Sequence, residues 1–242
     1  MRALIVLGLV LAAARAGAQP AVGNCVGAQL LQDGAVVGCM DQLDLTALDF
    51  TVTQSGTRSA VVLAPITTAL YLPAAACVNG TAAAAWDVPT SDAPVAACAT
   101  GTNTLKGILN FDDGTGTGIT APSIQSTFML PAMWQSGTNV VVDLKWYAAA
   151  TTNATRWCAQ LVCVADAETD DPAFNTAVCV NDTAKGTTLQ TNDVSLSLPS
   201  TTCSASELLH LKVYRDSDNA ADTMTGNASL VGARVTLTRL TP

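Results

Sequence analysis

From residue 105 to the end of the chain, apolar and polar side chains alternate one by one instead of recurring at helical spacing. The pattern is clearest at residues 140–147, 188–198 and 208–214. A period of two places one set of side chains on a buried face and the other on an exposed face, as in a β-strand. About seven or eight such stretches follow one another without a helical pattern between them. The sequence therefore predicts an all-β fold, an antiparallel β-sandwich.

Jelly-roll topology is preferred here over an immunoglobulin-like one, although strand patterns alone do not decide between them. The alternation also assigns faces. Leu209, Leu211 and Val213 are expected to point inward, with His210 on the other face of the same strand. In the last strand, one face is expected to carry Leu230, Gly232, Arg234, Thr236 and Thr238.

A smaller strand-rich region precedes the sandwich. Residues 49–63 have the pattern of a hairpin, and residues 30–37 look similar. We therefore predict a small β-rich module at residues 19–64 and a disulfide-stapled sandwich domain at residues 65–242. A module of this size has little mass for a core of its own, so an oligomer interface is expected there.

The first eighteen residues have the features of a signal peptide. A basic Arg2 precedes an apolar run at residues 3–14, and Ala16-Gly17-Ala18 supplies small residues for cleavage. The alternative is an uncleaved membrane anchor, but Arg15 interrupts the apolar run. No segment after residue 18 approaches 18 consecutive apolar residues, so no membrane span is expected in the mature chain. The predicted location is secreted, at the cell surface or periplasmic.

Eight cysteines follow the predicted cleavage site, an even number that in an exported chain indicates disulfides. Their spacing lacks the close CxxC or CxxH pairs of zinc sites. Clustering favours Cys25–Cys39 and Cys77–Cys98, with the remaining four pairing among themselves, although eight cysteines allow about 105 connectivities. The eight are Cys25, Cys39, Cys77, Cys98, Cys158, Cys163, Cys179 and Cys203.

Charge and composition exclude several function classes. The formal net charge is −8 and the pI is about 4.3, so the basic surface that nucleic acid requires is not expected. The chain has a single histidine, His210, which argues against His-based catalysis and multi-histidine metal sites. It also lacks a Gly-x-Ser-x-Gly motif.

One acidic segment invites a cation-binding interpretation. Asp216, Asp218 and Asp222 supply hard oxygen ligands suited to calcium, the one cofactor considered for this chain. The spacing matches an EF-hand loop only in part, since the glycine and the closing glutamate are missing. The alternative is a strand-connecting loop in which Arg215 pairs with an aspartate and other side chains cap turn amides.

Aromatic residues offer a second kind of site, because tryptophan and tyrosine rings stack on the apolar face of a sugar. Trp86 and Trp134 lie in loop-like surroundings near prolines, which makes them the candidate ligand-binding positions. Trp146 and Trp157 lie within predicted strands and are expected in the core.

Two groups of residues resemble parts of known proteins. Residues 30–34, 43–45 and 49–56 are similar to short β-modules of bacteriophage tail-fibre proteins. A second group resembles the β-sandwich head of uncharacterised phage and bacterial surface proteins. It consists of Leu130-Pro131-x-x-Trp134, Leu144-x-Trp146, Trp157, Leu211-x-Val213-x-Arg215-Asp216 and Asp222-Thr223-x-x-Gly226-Asn227-Ala228-x-Leu230.

The resemblance implies a homotrimer whose heads bind surface glycans or a receptor on a cell surface. The signal peptide and the cysteines favour an exported bacterial protein over a virion component. The leading hypothesis is thus a secreted, non-enzymatic structural or adhesive β-sandwich protein. A carbohydrate-binding module is the first alternative and a secreted hydrolase, which requires two acids in one cleft, is the second.

Overall fold

The structure is a computed structural model. The described residues are 28–32, 35–40, 50–55, 58–63, 66–115, 118 and 121–239. The predicted signal peptide at residues 1–18 and the predicted partner of Cys39, Cys25, lie outside them. No helix occurs in the described ranges, where every regular element is a strand.

The chain divides into two compact units, residues 1–66 with 240–242 and residues 67–239. The described part of the first unit consists of two antiparallel hairpins. Strand β1 (Ala28–Gln32) pairs with β2 (Ala35–Met40), and β3 (Phe50–Ser55) pairs with β4 (Arg58–Leu63). The β3–β4 pairing confirms the hairpin predicted at residues 49–63.

The second unit holds the sandwich, which is preceded by four further strands that extend one of its sheets. These four are β5 (Ile66–Pro73), β6 (Ala75–Val78), β7 (Thr81–Ala84) and β8 (Val95–Thr100). The eight strands that follow are β9 (Leu105–Phe111), β10 (Ser123–Met129), β11 (Val140–Ala148), β12 (Ala154–Val164), β13 (Val178–Thr183), β14 (Asn192–Leu198), β15 (Leu208–Arg215) and β16 (Ala228–Arg239).

These eight strands have the nested pairing of a jelly roll. Strand β9 pairs with β16, β10 with β15, β11 with β14 and β12 with β13, all antiparallel. The pairs alternate between two sheets, so that one sheet has the order β10-β15-β12-β13 and the other contains β14-β11-β16-β9. This is a long antiparallel ribbon folded over on itself, which confirms the predicted jelly-roll-like sandwich.

The core forms where the inward faces of the two sheets meet. Trp157 from the smaller sheet makes edge-to-face contacts with Phe111 and Trp146 from the larger one, at centroid distances of 5.0 and 6.1 Å. Trp146 and Trp157 are fully buried, as their positions within strands predicted. Aromatic pairs of this geometry add about 0.5–1.5 kcal/mol each to the effect of burying their apolar area.

Strand β16 departs from its predicted pattern because of an irregularity opposite Lys145 and Trp146. Lys145 pairs with Gly232 whereas Trp146 pairs with Leu230, which leaves Val231 as an extra residue in the strand. Leu230 is buried, but Arg234 is exposed and Ala233 and Val235 point inward instead. The expectation that Leu230 shares a face with Gly232, Arg234, Thr236 and Thr238 is therefore wrong.

Candidate functional site

The outward face of the larger sheet carries a cluster of charged side chains on three adjacent strands. Register places Asp193 of β14, Lys145 of β11 and Gly232 of β16 side by side in one row. The next row on the same face contains Asp143 of β11 beside Arg234 of β16. The alternation that points Val142 and Leu144 into the core turns Asp143 and Lys145 toward solvent.

The four charged side chains form two ion pairs across neighbouring strands. Lys145 donates from Nζ to Oδ1 of Asp193 at 2.6 Å. Arg234 donates from Nε at 3.0 Å and from Nη2 at 2.8 Å to Oδ2 of Asp143. Exposed pairs of this kind contribute only about 0–1 kcal/mol to stability, so their main effect is to hold the polar groups in place.

Each ion pair leaves hydrogen-bonding capacity open to solvent. Asp143 Oδ1 and Asp193 Oδ2 accept no hydrogen bond from any described residue, and Arg234 Nη1 donates none to one. Lys145 uses one of its three N–H groups on Asp193. The cluster therefore offers hydrogen-bond donors and acceptors side by side.

An exposed aromatic ring lies beside these pairs. Tyr71 of β5, with 58% of its surface exposed, approaches Gly232 of β16 closely. A Cβ atom on Gly232 would lie 2.6 Å from the Tyr71 hydroxyl oxygen and 2.9 Å from the Tyr71 Cζ atom. Both distances are shorter than any real carbon contact, so the position of the ring depends on the absence of a side chain at residue 232.

Tyr71 and the two ion pairs line an open surface cavity of about 380 Å³, within the usual range for small-molecule sites. The cavity combines an aromatic ring with alternating donors and acceptors. An aromatic ring binds apolar surface, whereas the charged groups bind hydroxyl groups, which both donate and accept. The lining residues are Tyr71, Asp143, Lys145, Asp193, Gly232 and Arg234.

The predicted stacking residues lie elsewhere and are buried. Trp86 is 5% exposed and donates from Nε1 to the Pro73 carbonyl oxygen at 3.0 Å, and Trp134 is 3% exposed. Both belong to the hydrophobic core cluster. Rings enclosed in this way present no face to a ligand, so the expectation that Trp86 or Trp134 stacks on a sugar is corrected.

In the loop predicted as a calcium site, at residues 216–222, two of the three aspartates form ion pairs with arginines. Asp216 accepts from Nε of Arg156 at 2.8 Å, and Asp222 accepts two hydrogen bonds from Arg215. The carboxylates of Asp216, Asp218 and Asp222 do not form a metal-binding group among the described residues. The alternative, an Arg215–aspartate pair in a strand-connecting loop, is the arrangement found. Asn219 also caps the Ala221 amide at 3.1 Å.

A second, smaller cavity of about 180 Å³ lies on the outward side of the other sheet. His210 lines it and contacts the Thr127 hydroxyl through Nδ1 at 3.0 Å. Asp170 and Asp171, from the segment that follows β12, line the same cavity. His210 thus occupies a partly covered strand face, as expected, and its Nε2 lies 3.8 Å from Asp170 Oδ1.

In the part of the chain whose side chains are described, six cysteines form disulfides. Cys77 pairs with Cys98 as predicted, Cys158 with Cys179, and Cys163 with Cys203. Among the described residues, one group has metal-ligand proximity: Cys158, Cys179 and Asp216. Its two sulfur atoms are bonded to each other, so they are not available as thiolate ligands.

No helix in the described ranges is long and apolar enough to cross a membrane. The three disulfides are typical of an oxidising compartment outside the cytosol.

No protein-family model matches the chain, and no curated protein matches it. Among solved structures, it is similar to the enzymatically active domain of tailspike protein 4 of bacteriophage CBA120. That likeness has 12% identity and a TM-score of 0.35, and covers 64% of this chain and 19% of the tailspike chain.

Two carbohydrate-binding modules are also similar in structure. One, specific for non-crystalline cellulose, is 11% identical with a TM-score of 0.36, covering 64% of this chain and 86% of the module. The other, which recognises mannan, is 9% identical with a TM-score of 0.30, covering 63% of this chain and 83% of the module. At these identities, none of the three structures assigns a ligand to this chain.

Sequence reasoning missed Tyr71 and its partners. The alternation in β11 places Asp143 and Lys145 on one outward face. This pattern is the one feature of the sequence that points to the site. The contact between Tyr71 and Gly232 joins β5 and β16, which are the first and last strands of the second unit in the sequence. A pattern within either strand does not indicate a contact over this sequence separation.

Proposed function

We propose that this protein is a secreted, non-enzymatic glycan-binding protein whose binding site is the outward face around Tyr71. The observation that carries the proposal is the exposed Tyr71 ring, positioned over Gly232 beside the Lys145–Asp193 and Arg234–Asp143 pairs. Sugars present both apolar C–H faces and rings of hydroxyl groups. An aromatic ring beside paired charges is complementary to both features.

The hydrolase alternative uses the same cavity, because Asp143 and Asp193 both line it. Glycoside hydrolases use one carboxyl group as an acid and a second as a base or nucleophile. Here each aspartate is already engaged by a cation, an arrangement suited to binding hydroxyl groups rather than to delivering a proton. We therefore favour binding over hydrolysis.

The test is a glycan-array screen of the protein purified with its disulfides formed. We expect binding to at least one glycan, and at least a tenfold weaker affinity for Tyr71→Ala, which is about 1.4 kcal/mol. Tyr214→Ala is the matched control because Tyr214 lies on a strand of the other sheet. Equal losses in both variants, or release of reducing ends from the bound glycan, would contradict the proposal.

The oligomeric state is a separate part of the proposal. The small β-rich module predicted at residues 19–64 and the resemblance to fibre proteins favour a homotrimer, which would present three copies of the site together. Several weak sites on one particle bind a repetitive surface far more tightly than one site does. Light scattering at micromolar concentration tests this idea, and a monodisperse monomer would refute it.

A further inference from the structure

We infer that the cavity selects neutral glycans and discriminates against those that carry carboxylate or sulfate groups. The inference rests on the proposed function and concerns the chemical class of the ligand. It follows from how the charges of the cavity are arranged.

Charge within the cavity is locally compensated. Lys145 and Arg234 are the cations that line it, and each is committed to an aspartate in the same lining. An anionic sugar that accepts from the remaining N–H groups of Lys145 or Arg234 would bring its own negative charge next to Asp193 or Asp143. Each cation is already neutralised by that aspartate, and like charges at short distance repel.

A neutral sugar avoids this conflict because a hydroxyl group both donates and accepts. One hydroxyl can accept from a remaining N–H group of Lys145 while it donates to the open oxygen Oδ2 of Asp193. A neighbouring hydroxyl can use Arg234 Nη1 and Asp143 Oδ1 in the same way. Both ion pairs then remain intact, and no charge is left without a partner.

The charge of the whole chain acts in the same direction. The formal net charge of −8 creates a field that repels polyanions and slows their approach. A protein that captures acidic polysaccharides is expected to show excess positive charge in the binding face. This cavity shows equal numbers of both signs.

The discriminating experiment uses matched glycan pairs that differ only at C6. We would compare β-1,4-glucan and β-1,4-mannan oligosaccharides with their C6-oxidised uronate counterparts, alongside the wider array. We expect the neutral member to bind at least ten times more tightly, with less than a threefold change in affinity between 50 and 500 mM NaCl. A uronate that binds equally or better would overturn the inference and leave glycan binding itself intact. Failure of every neutral and acidic glycan to bind would remove the proposed function and the inference with it.

A charge-balance variant tests the cause. Asp143→Asn combined with Asp193→Asn leaves Arg234 and Lys145 without ionic partners. We expect this variant to gain at least tenfold in affinity for the uronate oligosaccharides, and the gain to disappear at 500 mM NaCl. The matched control is Asp170→Asn combined with Asp171→Asn, which changes the net charge equally at the second cavity. An equal gain in the control would show that overall charge, not the pairing in the cavity, sets the selectivity.

Discussion

Arg215 and Asp222 form a two-bonded ion pair in the interior of the protein, with side chains that are 0% and 1% exposed. The guanidinium donates from Nε at 2.9 Å and from Nη2 at 2.8 Å to the two carboxylate oxygens. Its other N–H groups donate to the carbonyl oxygens of Phe111, Gly226 and Met224. All five donors of the side chain are thereby used, and the β15–β16 loop is fixed to the end of β9.

Breaking this pair should destabilise the fold strongly. Arg215→Met and Asp222→Leu should each lower the free energy of unfolding by about 3–5 kcal/mol, because each leaves one buried charge without its partner. The double variant should lose less than the sum of the two single variants. Urea denaturation at pH 7 measures all three, with Lys145→Gln as the control in an exposed pair, where the loss should stay below about 1 kcal/mol. Additive losses would mean that the two side chains act independently.

Asp113 makes the adjoining loop contact sensitive to pH. Its carboxylate accepts from the Gly226 amide at 2.6 Å and the Thr115 amide at 2.9 Å. The hydrogen bond from Gly226 is the main reason why the pKa of Asp113 lies below the ordinary value of 3.8, and burial opposes it in part. A lowered pKa in the folded state stabilises the protein above the unfolded pKa, and this contribution is lost as the pH falls through the folded pKa.

Asp113→Asn should therefore be less stable than the unsubstituted protein at pH 7, with the difference shrinking between about pH 5 and pH 2. Thermal unfolding followed across this pH range gives the comparison. The control is Asp218→Asn, which removes an exposed carboxyl group from the β15–β16 loop and leaves the contacts of Asp113 in place. A stability difference that stays constant down to pH 2 would show that ionisation of Asp113 is not its source.

The sequence predicts most of the sandwich because alternation reports directly on burial. In β15 the alternation places Leu209, Leu211 and Val213 inward, and the same pattern carries Arg215 into the core. Alternation does not predict the position of an extra residue, or bulge, within a strand. Val231 shifts the register of β16, and every outward position after it changes face relative to Leu230.

The candidate site is less predictable because long-range contacts create it. Tyr71 and Gly232 are brought together by strand pairing, and each is unremarkable in its own segment. The prolines near Trp86 and Trp134 indicate loops, and exposure was predicted from them. The large apolar area of a tryptophan nevertheless makes burial the favoured outcome. The buried indole N–H group of Trp86 is not left without a partner, because it donates a hydrogen bond to the Pro73 carbonyl oxygen.

The disulfides should stabilise the protein according to the length of chain that they enclose. Cys163–Cys203 spans a sequence separation of 40, and Cys158–Cys179 spans 21. Loss of loop entropy in the unfolded chain predicts about 4 kcal/mol for the longer loop and about 3.4 kcal/mol for the shorter one. Replacing both cysteines of a pair with serine and measuring urea denaturation gives each value. An intact-mass comparison before and after reduction verifies that the remaining bridges are formed, and a larger loss for the shorter loop would contradict the entropic account.

Gly232 should control ligand binding through Tyr71 alone. In Gly232→Ala the new Cβ would collide with the Tyr71 ring and with the Leu72 carbonyl oxygen, 2.9 Å away, so the ring must move off the strand. We expect at least a tenfold loss of glycan affinity together with about 1–3 kcal/mol of destabilisation from overpacking. Tyr71→Ala should lose the same affinity but less than about 0.5 kcal/mol of stability, because its ring is largely exposed.

The double variant should bind no worse than Tyr71→Ala does, as titration calorimetry at a temperature well below unfolding would show. A further drop in the double variant would mean that Gly232 contacts the ligand itself.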